Sequence, residues 1–228
     1  AKRGIVDGEL VAPDALDNNP FIQQVVADAE AVAQEEPATL APPQAKPKQK
    51  QITFEPLYPG IPKEQRRNFR IDDPELDYGT PTQKYAANVA AIRCLKQIES
   101  EGRLANPEEQ KILSQYVGWG GLSHWFDDRH PKYQELKDLL TPEEYAAARE
   151  SALTAFYTPP VVIRAIYQAM ENMQFQQGNI LEPSCGIGNF LGMLPDGMSE
   201  SKLYGVELDS ISGRIAQQLY QRSSIAVQ

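Results

Sequence analysis

The sequence predicts an α/β fold, with a helical region and a Pro-rich linker ahead of it. Three observations carry that prediction. A short apolar run, Asn179-Ile180-Leu181, ends on Glu182-Pro183 and enters a glycine turn, Ser184-Cys185-Gly186-Ile187-Gly188. Beyond the turn, Asn189 and Phe190 lead into a helix over Phe190–Leu194, and a second strand runs from Lys202 to Leu208. Upstream, apolar residues recur at helical spacing across residues 82–155.

Taken in order, residues 1–67 read as a largely disordered linker. Half of the 18 prolines fall within residues 1–62, and the stretch from Pro37 to Lys50 is dominated by Pro, Ala, Gln and Lys. One short amphipathic helix is expected there, over Pro20–Gln34. Residues 68–155 read as helical. Tyr85, Val89, Ile92, Leu95 and Ile98 share a face, and Asn106-Pro107-Glu108-Glu109 and Thr141-Pro142-Glu143-Glu144 are helix starts: a capping residue, proline at the first position and an acid at the third. Three helices follow from this, at about 82–101, 107–116 and 142–152. Between them Gly118-Trp119-Gly120-Gly121 and Trp125 form a glycine–tryptophan loop, read either as a packed turn or as a lid over a ligand.

Residues 156–228 hold the α/β segment. Thr158 suits a helix N-cap and Pro159 the first helical position. The helix places Val162, Ile166, Met170 and Met173 on one face, and Gly178 ends the segment before the first strand. A strand–glycine loop–helix unit offers bare backbone N–H groups to a ligand. The dinucleotide fingerprint G-x-G-x-x-G is incomplete, because Leu191 stands where its third glycine belongs. A pyrophosphate would be repelled by Glu182, whereas S-adenosylmethionine carries an ammonium and a sulfonium at its methionine end. The expected cofactor is therefore S-adenosylmethionine; two strands ending in acids, Glu182 and Glu207, around a glycine loop suit a nucleoside with vicinal hydroxyls.

Taken together, Tyr157-Thr158-Pro159 ahead of the glycine loop, Tyr116-Val117-Gly118-Trp119-Gly120-Gly121-Leu122 and Leu203-Tyr204-Gly205-Val206-Glu207-Leu208 make the chain resemble the gamma-order N6-adenine DNA methyltransferases. It is similar above all to the large methyltransferase–helicase proteins of bacterial conjugative elements and phages, from about Asn68 to Gln228. The resemblance implies a partial Rossmann-like methyltransferase sheet, with residues 156–228 as its cofactor-binding part. It implies Tyr157, Thr158 and Pro159 against the methionine end, with Glu182, Pro183, Gly186, Gly188, Asn189, Phe190, Glu207 and Leu208 completing the cofactor site. It also implies DNA as substrate of the full-length protein and a helicase region downstream in the same polypeptide. The family's Asn/Asp/Ser-Pro-Pro-aromatic motif, which holds the target amine, has no match: the Pro-Pro pairs are Pro42-Pro43 and Pro159-Pro160, and Thr158-Pro159-Pro160-Val161 lacks both the amide and the aromatic. No catalytic residue is therefore expected within these residues. The chain reads as a fragment, inactive alone, with two strands of a longer sheet.

Bulk properties narrow the field further. The net charge of −9 and pI near 4.8 argue against a nucleic-acid grip within this piece. Two distant cysteines, Cys94 and Cys185, suit a reducing cytoplasm, and no apolar run is long enough for a membrane span. His124 and His130 have no partners at ligand spacing, so no metal site is expected. Two other readings compete: a nicotinamide-binding domain of an oxidoreductase, and a non-catalytic interaction module.

Overall fold

In the computed structural model the structure describes residues 4–6, 9–11, 52–72, 79–153, 155 and 157–228. Residues 1–50 and 51–228 are separate units. In the first, β1 (Gly4–Val6) pairs antiparallel with β2 (Glu9–Val11), Ile5 opposite Leu10. This pairing falls inside the stretch read as linker; the helix expected over Pro20–Gln34 lies outside the described residues.

The second unit begins with a segment that composition alone assigned to the linker but that is pinned down. The Arg66 guanidinium is buried and donates to the carbonyls of Leu57, Tyr58, Ile61 and Gln221. A buried charge is tolerated when it is hydrogen-bonded on this scale. Helix α1 (Pro81–Ser100) starts at a capping box between Thr80 and Gln83, with Pro81 in the first turn. It buries Tyr85, Asn88, Val89, Ile92, Leu95 and Ile98. Helix α2 (Pro107–Leu113) starts at the Asn106–Glu109 box. A further helix, α3 (Tyr133–Leu139), was not foreseen. Its start at Lys132 makes no side-chain cap and it fully buries Leu136 alone, so neither signal is written in the sequence. Helix α4 (Pro142–Ser151) starts at the Thr141–Glu144 box. Glu144 also meets Lys96 of α1 at 2.7 Å and Arg214 at 2.8 Å, tying three helices together. Burial pushes the Glu144 carboxyl up, but Lys96, the Thr141 N–H and Arg214 outweigh it and hold its pKa below the ordinary value.

Helix α5 (Pro160–Asn172) departs from the expected pattern in two ways. Pro159 occupies the cap position, so Thr158 is not the cap. Its buried face is Pro160, Ile163 and Tyr167, with Met170 partly covered; Val162 and Ile166 are exposed, and Met173 is 73% exposed. The helix is turned by about one residue from the expected phase, because two interleaved apolar stripes fit its period equally well.

Strands β3 (Asn179–Glu182), β4 (Lys202–Glu207) and β5 (Ser224–Val227) form a parallel sheet in that order. Leu181 stands opposite Tyr204, and Tyr204 opposite Ser224. Helix α6 (Asn189–Gly192) links β3 to β4, and α7 (Ser210–Leu219) links β4 to β5. The sequence reading counted two strands; β5 is a third, with no glycine turn or acid beside it to mark it. The helix expected over Phe190–Leu194 is one turn, stopped by Gly192 and Pro195. One apolar core runs from Leu95, Trp119 and Phe126 of the helical region through to Ile163, Ile187 and Leu219. Among the described residues no helix is long and apolar enough to cross a membrane.

Candidate functional site

The C-terminal ends of β3 and β4 lie side by side, and the glycine turn sits between them. Ladder bonding continues into the turn through Cys185 N–H to the Val206 carbonyl at 3.0 Å. Gly186 and Gly188 have φ of +54° and +86°, the left-handed region that side chains avoid. Space is tight as well. A Cβ on Gly186 would lie 2.4 Å from the Tyr157 ring, and one on Gly188 would lie 2.4 Å from Tyr220. Both positions therefore require glycine twice over.

Tyr157 is the hinge of the arrangement. One edge of its ring lies on Gly186 and the other on Gly118, whose φ is +70° and whose Cβ would meet the ring at 3.3 Å. Gly118 is held in turn by Asn88 of α1: the side-chain amide donates to the Gly118 carbonyl at 2.6 Å, and its oxygen accepts from Val117 N–H at 2.9 Å. The Tyr157 hydroxyl pairs with Ser212 Oγ at 3.1 Å. Ser212 donates to Asp209, which also caps α7 by accepting the Ser212 N–H. Around this chain lies a cavity of about 210 Å³, walled by Tyr116, Trp119 and Tyr157 on one side and by Gly186, Glu207 and Asp209 on the other. It is smaller than the ~300–1,000 Å³ usual for a whole small-molecule ligand, so it fits one end of such a molecule.

The two carboxylates differ in their surroundings. Glu207 accepts three backbone N–H bonds, from Gly186 at 2.7 Å, Leu208 at 2.9 Å and Asp209 at 2.8 Å. A carboxylate has about four lone-pair sites, so one remains for a ligand. Glu182 has a buried oxygen with no hydrogen-bond partner among the described residues. Burial, and then the nearby charge of Glu207, push its pKa up to about 8. Its carboxyl is therefore largely protonated at neutral pH. Burial, followed by the charges of Glu182 and Glu207, pushes the Cys185 thiol up to about 12, which removes it as a nucleophile.

Of the residues singled out from sequence, Tyr157, Gly186 and Glu207 line the cavity. Glu182 lies close enough to Glu207 for their charges to interact. Thr158, Pro159 and Pro183 are exposed, and Leu208 is 80% exposed. Gly188, Asn189 and Phe190 belong to the start of α6, where the Phe190 carbonyl accepts from the Tyr167 hydroxyl at 2.7 Å. None of these last seven is on the cavity wall. The reading missed Tyr116, Ser151, Asp209 and Ser212, which are brought in by tertiary packing. The glycine–tryptophan loop is a packed turn, the first of the two readings above: Trp119 is 1% exposed, a core residue that also lines the cavity.

Fold and site together define an α/β unit with a cavity at the carboxyl ends of adjacent parallel strands, where open α/β sheets place their crevice. The chain is similar to the "Defense against restriction protein B" of Escherichia phage P1, with 26% identity over 141 residues, which are 62% of this chain and 5% of that protein. The chain thus spans a small part of the length of the curated relative it matches. No family model matches the chain, and no solved structure matches it. The resemblance to gamma-order N6-adenine DNA methyltransferases and to methyltransferase–helicase proteins is therefore corrected. The curated match is a restriction-defence protein, and the described sheet has three strands, short of a Rossmann methyltransferase fold. The motifs that carried the resemblance are short, and a glycine turn between strands recurs across unrelated α/β proteins.

Proposed function

We propose that this chain binds S-adenosylmethionine and is the methyl-donor-binding part of a protein that modifies DNA in defence against restriction. The observation that carries the reading is the charge of the cavity wall. Among the described residues lining it, the only charged side chains are Glu207 and Asp209; the Glu182 carboxyl, largely protonated at neutral pH, adds no charge there, so the repulsion of a pyrophosphate expected from Glu182 falls to these two acids. A phosphate would meet acids without a cation to offset them, which disfavours a nicotinamide dinucleotide. A sulfonium and an ammonium would meet acids and aromatic rings, a setting that favours cations. Gly186 and Gly188 let the backbone approach a ligand closely, and Glu207 keeps one acceptor site for a ribose hydroxyl. The restriction context comes from the phage relative, which is named for defence against restriction. In this reading the chain's own residues bind and orient the donor; the group that positions the acceptor lies elsewhere in the protein. Isothermal calorimetry on the 228-residue chain tests it, with S-adenosylmethionine, S-adenosylhomocysteine and NAD in parallel. Binding of the two adenosyl ligands with weaker binding of NAD is expected. Tighter binding of NAD, or none of the adenosyl ligands, would overturn the reading.

A further inference from the structure

The opposite end of the same sheet carries a different chemistry. A groove of about 680 Å³ runs along the amino ends of β4 and β5. Lys63, Arg70, Lys202 and Arg222 line it, and among the described lining residues Glu200 is the one acid. In a chain of net charge −9 this is a local reversal of sign. It is assembled by folding. Lys63 and Arg70 come from the segment ahead of α1, and Lys202 and Arg222 from the ends of two later elements, more than 130 residues on.

The groove's frame is tied together by hydrogen bonds. Phe69 N–H donates to the Leu219 carbonyl at 2.7 Å, and Ile71 N–H to the Gly192 carbonyl at 2.9 Å. Asn68 accepts from Arg222 N–H at 2.9 Å, and Arg222 Nε donates to the Arg66 carbonyl at 2.7 Å. The cations are not all spent internally. Arg70 is shared between two exposed acids, Asp196 at 2.9 Å and Asp72 at 3.9 Å, so the free cations of the groove are chiefly the two lysines. Lys63 and Lys202 are exposed and make no ion pair among the described residues. Ser199 and Ser224 add hydroxyl donors to the wall. Cations spaced along a groove, with hydroxyl donors between them, match a phosphodiester chain, whose contacts come from Lys, Arg, Ser and backbone N–H groups.

We propose that this groove is a contact surface for the phosphate backbone of nucleic acid, separate from the cofactor end of the sheet. The proposal stands independently of the methyl-donor reading. The test is fluorescence anisotropy of the 228-residue chain with a short labelled DNA duplex at rising salt. With three or four phosphates neutralised, affinity should fall by about 40- to 150-fold between roughly 50 and 200 mM salt. The double variant Lys63→Glu/Lys202→Glu should bind at least about tenfold more weakly, with the slope against salt reduced by about two. Its melting temperature should match the parent's, since both lysines are exposed and unpaired among the described residues. Glu200→Lys should bind more tightly than the parent. Absence of salt-dependent binding, variants that leave the affinity where it was, or binding to phosphatidylserine vesicles without binding to DNA would each overturn the proposal.

Discussion

Asn88 and Gly118 are joined by a 2.6 Å hydrogen bond that links the middle of α1 to the wall of the cavity. The same side chain also takes the Val117 N–H, so one amide satisfies two backbone groups of a loop. Both bonds are lost in Asn88→Ala, and the Gly118 carbonyl and Val117 N–H are left without partners. At about 1–3 kcal/mol for each buried group left unsatisfied, a loss of roughly 2–5 kcal/mol is expected. Urea denaturation measures it. A loss under about 0.5 kcal/mol would mean that water replaces Asn88 and that the clamp is incidental.

Gly186 and Tyr157 form the second contact with a measurable consequence. Gly186→Ala places a methyl group 2.4 Å from the ring at a φ of +54°. Steric overlap and an unfavourable φ together should destabilise the chain by about 2–4 kcal/mol. Most of the overlap, but not the φ penalty, is relieved in Gly186→Ala/Tyr157→Ala. A double-mutant cycle should therefore show a coupling of about 1–2 kcal/mol between the two positions. Strictly additive losses would place the ring elsewhere in solution.

Glu182 sets a pH dependence of definite sign. Its pKa rises from an ordinary 4.5 to about 8 on folding, so between those values the folded state holds more protons than the unfolded state. Stability attributable to this group is therefore full below about pH 4.5 and is lost as pH rises through 8. The ceiling on the effect is about 5 kcal/mol, at 1.36 kcal/mol per unit. Glu182→Gln should remove that decline, so the variant gains on the parent as pH climbs from 5 to 9. Parallel pH profiles of the two melting temperatures would refute the assignment.

The phase of α5 is open to a direct comparison. Ile163 is fully buried and Val162 is 42% exposed, adjacent in sequence but on different faces. Ile163→Ala should cost about 2–5 kcal/mol, and Val162→Ala less than about 1 kcal/mol. The reverse order, measured by thermal melts, would restore the face expected from the spacing.

What the sequence disclosed and what it withheld follow from the range of the interactions. The boxes at Asn106 and Thr141 are local grammar, so α2 and α4 could be read directly. The glycine turn is equally local, because positive φ and close approach select glycine whatever the surroundings. The phase of α5 could not be fixed, since its apolar residues populate two stripes and only the partner surface chooses between them. Helix α3 is held by its neighbours, without a cap to announce it. The bonds of Asn88 to Gly118 and of Tyr157 to Ser212 join residues far apart in the chain, so Tyr116 and Ser212 gave no sign of sharing a cavity. The local grouping of charge was hidden for a related reason. A total of −9 averages over the whole chain, while Lys63 and Lys202 come together only on folding.

Strand β3 has its own consequence for how the molecule behaves in bulk. It pairs with β4 on one side, and on the other side no described strand pairs with it. Leu181 on this strand is 57% exposed. A strand in that condition is a template: its free N–H and C=O groups can recruit any extended segment, including a second copy of themselves. Four residues is short for such a nucleus, which limits growth without abolishing it. Concentrated solutions should scatter light in proportion to this edge's availability, and Leu181→Lys, which puts a charge on it, should keep them clear.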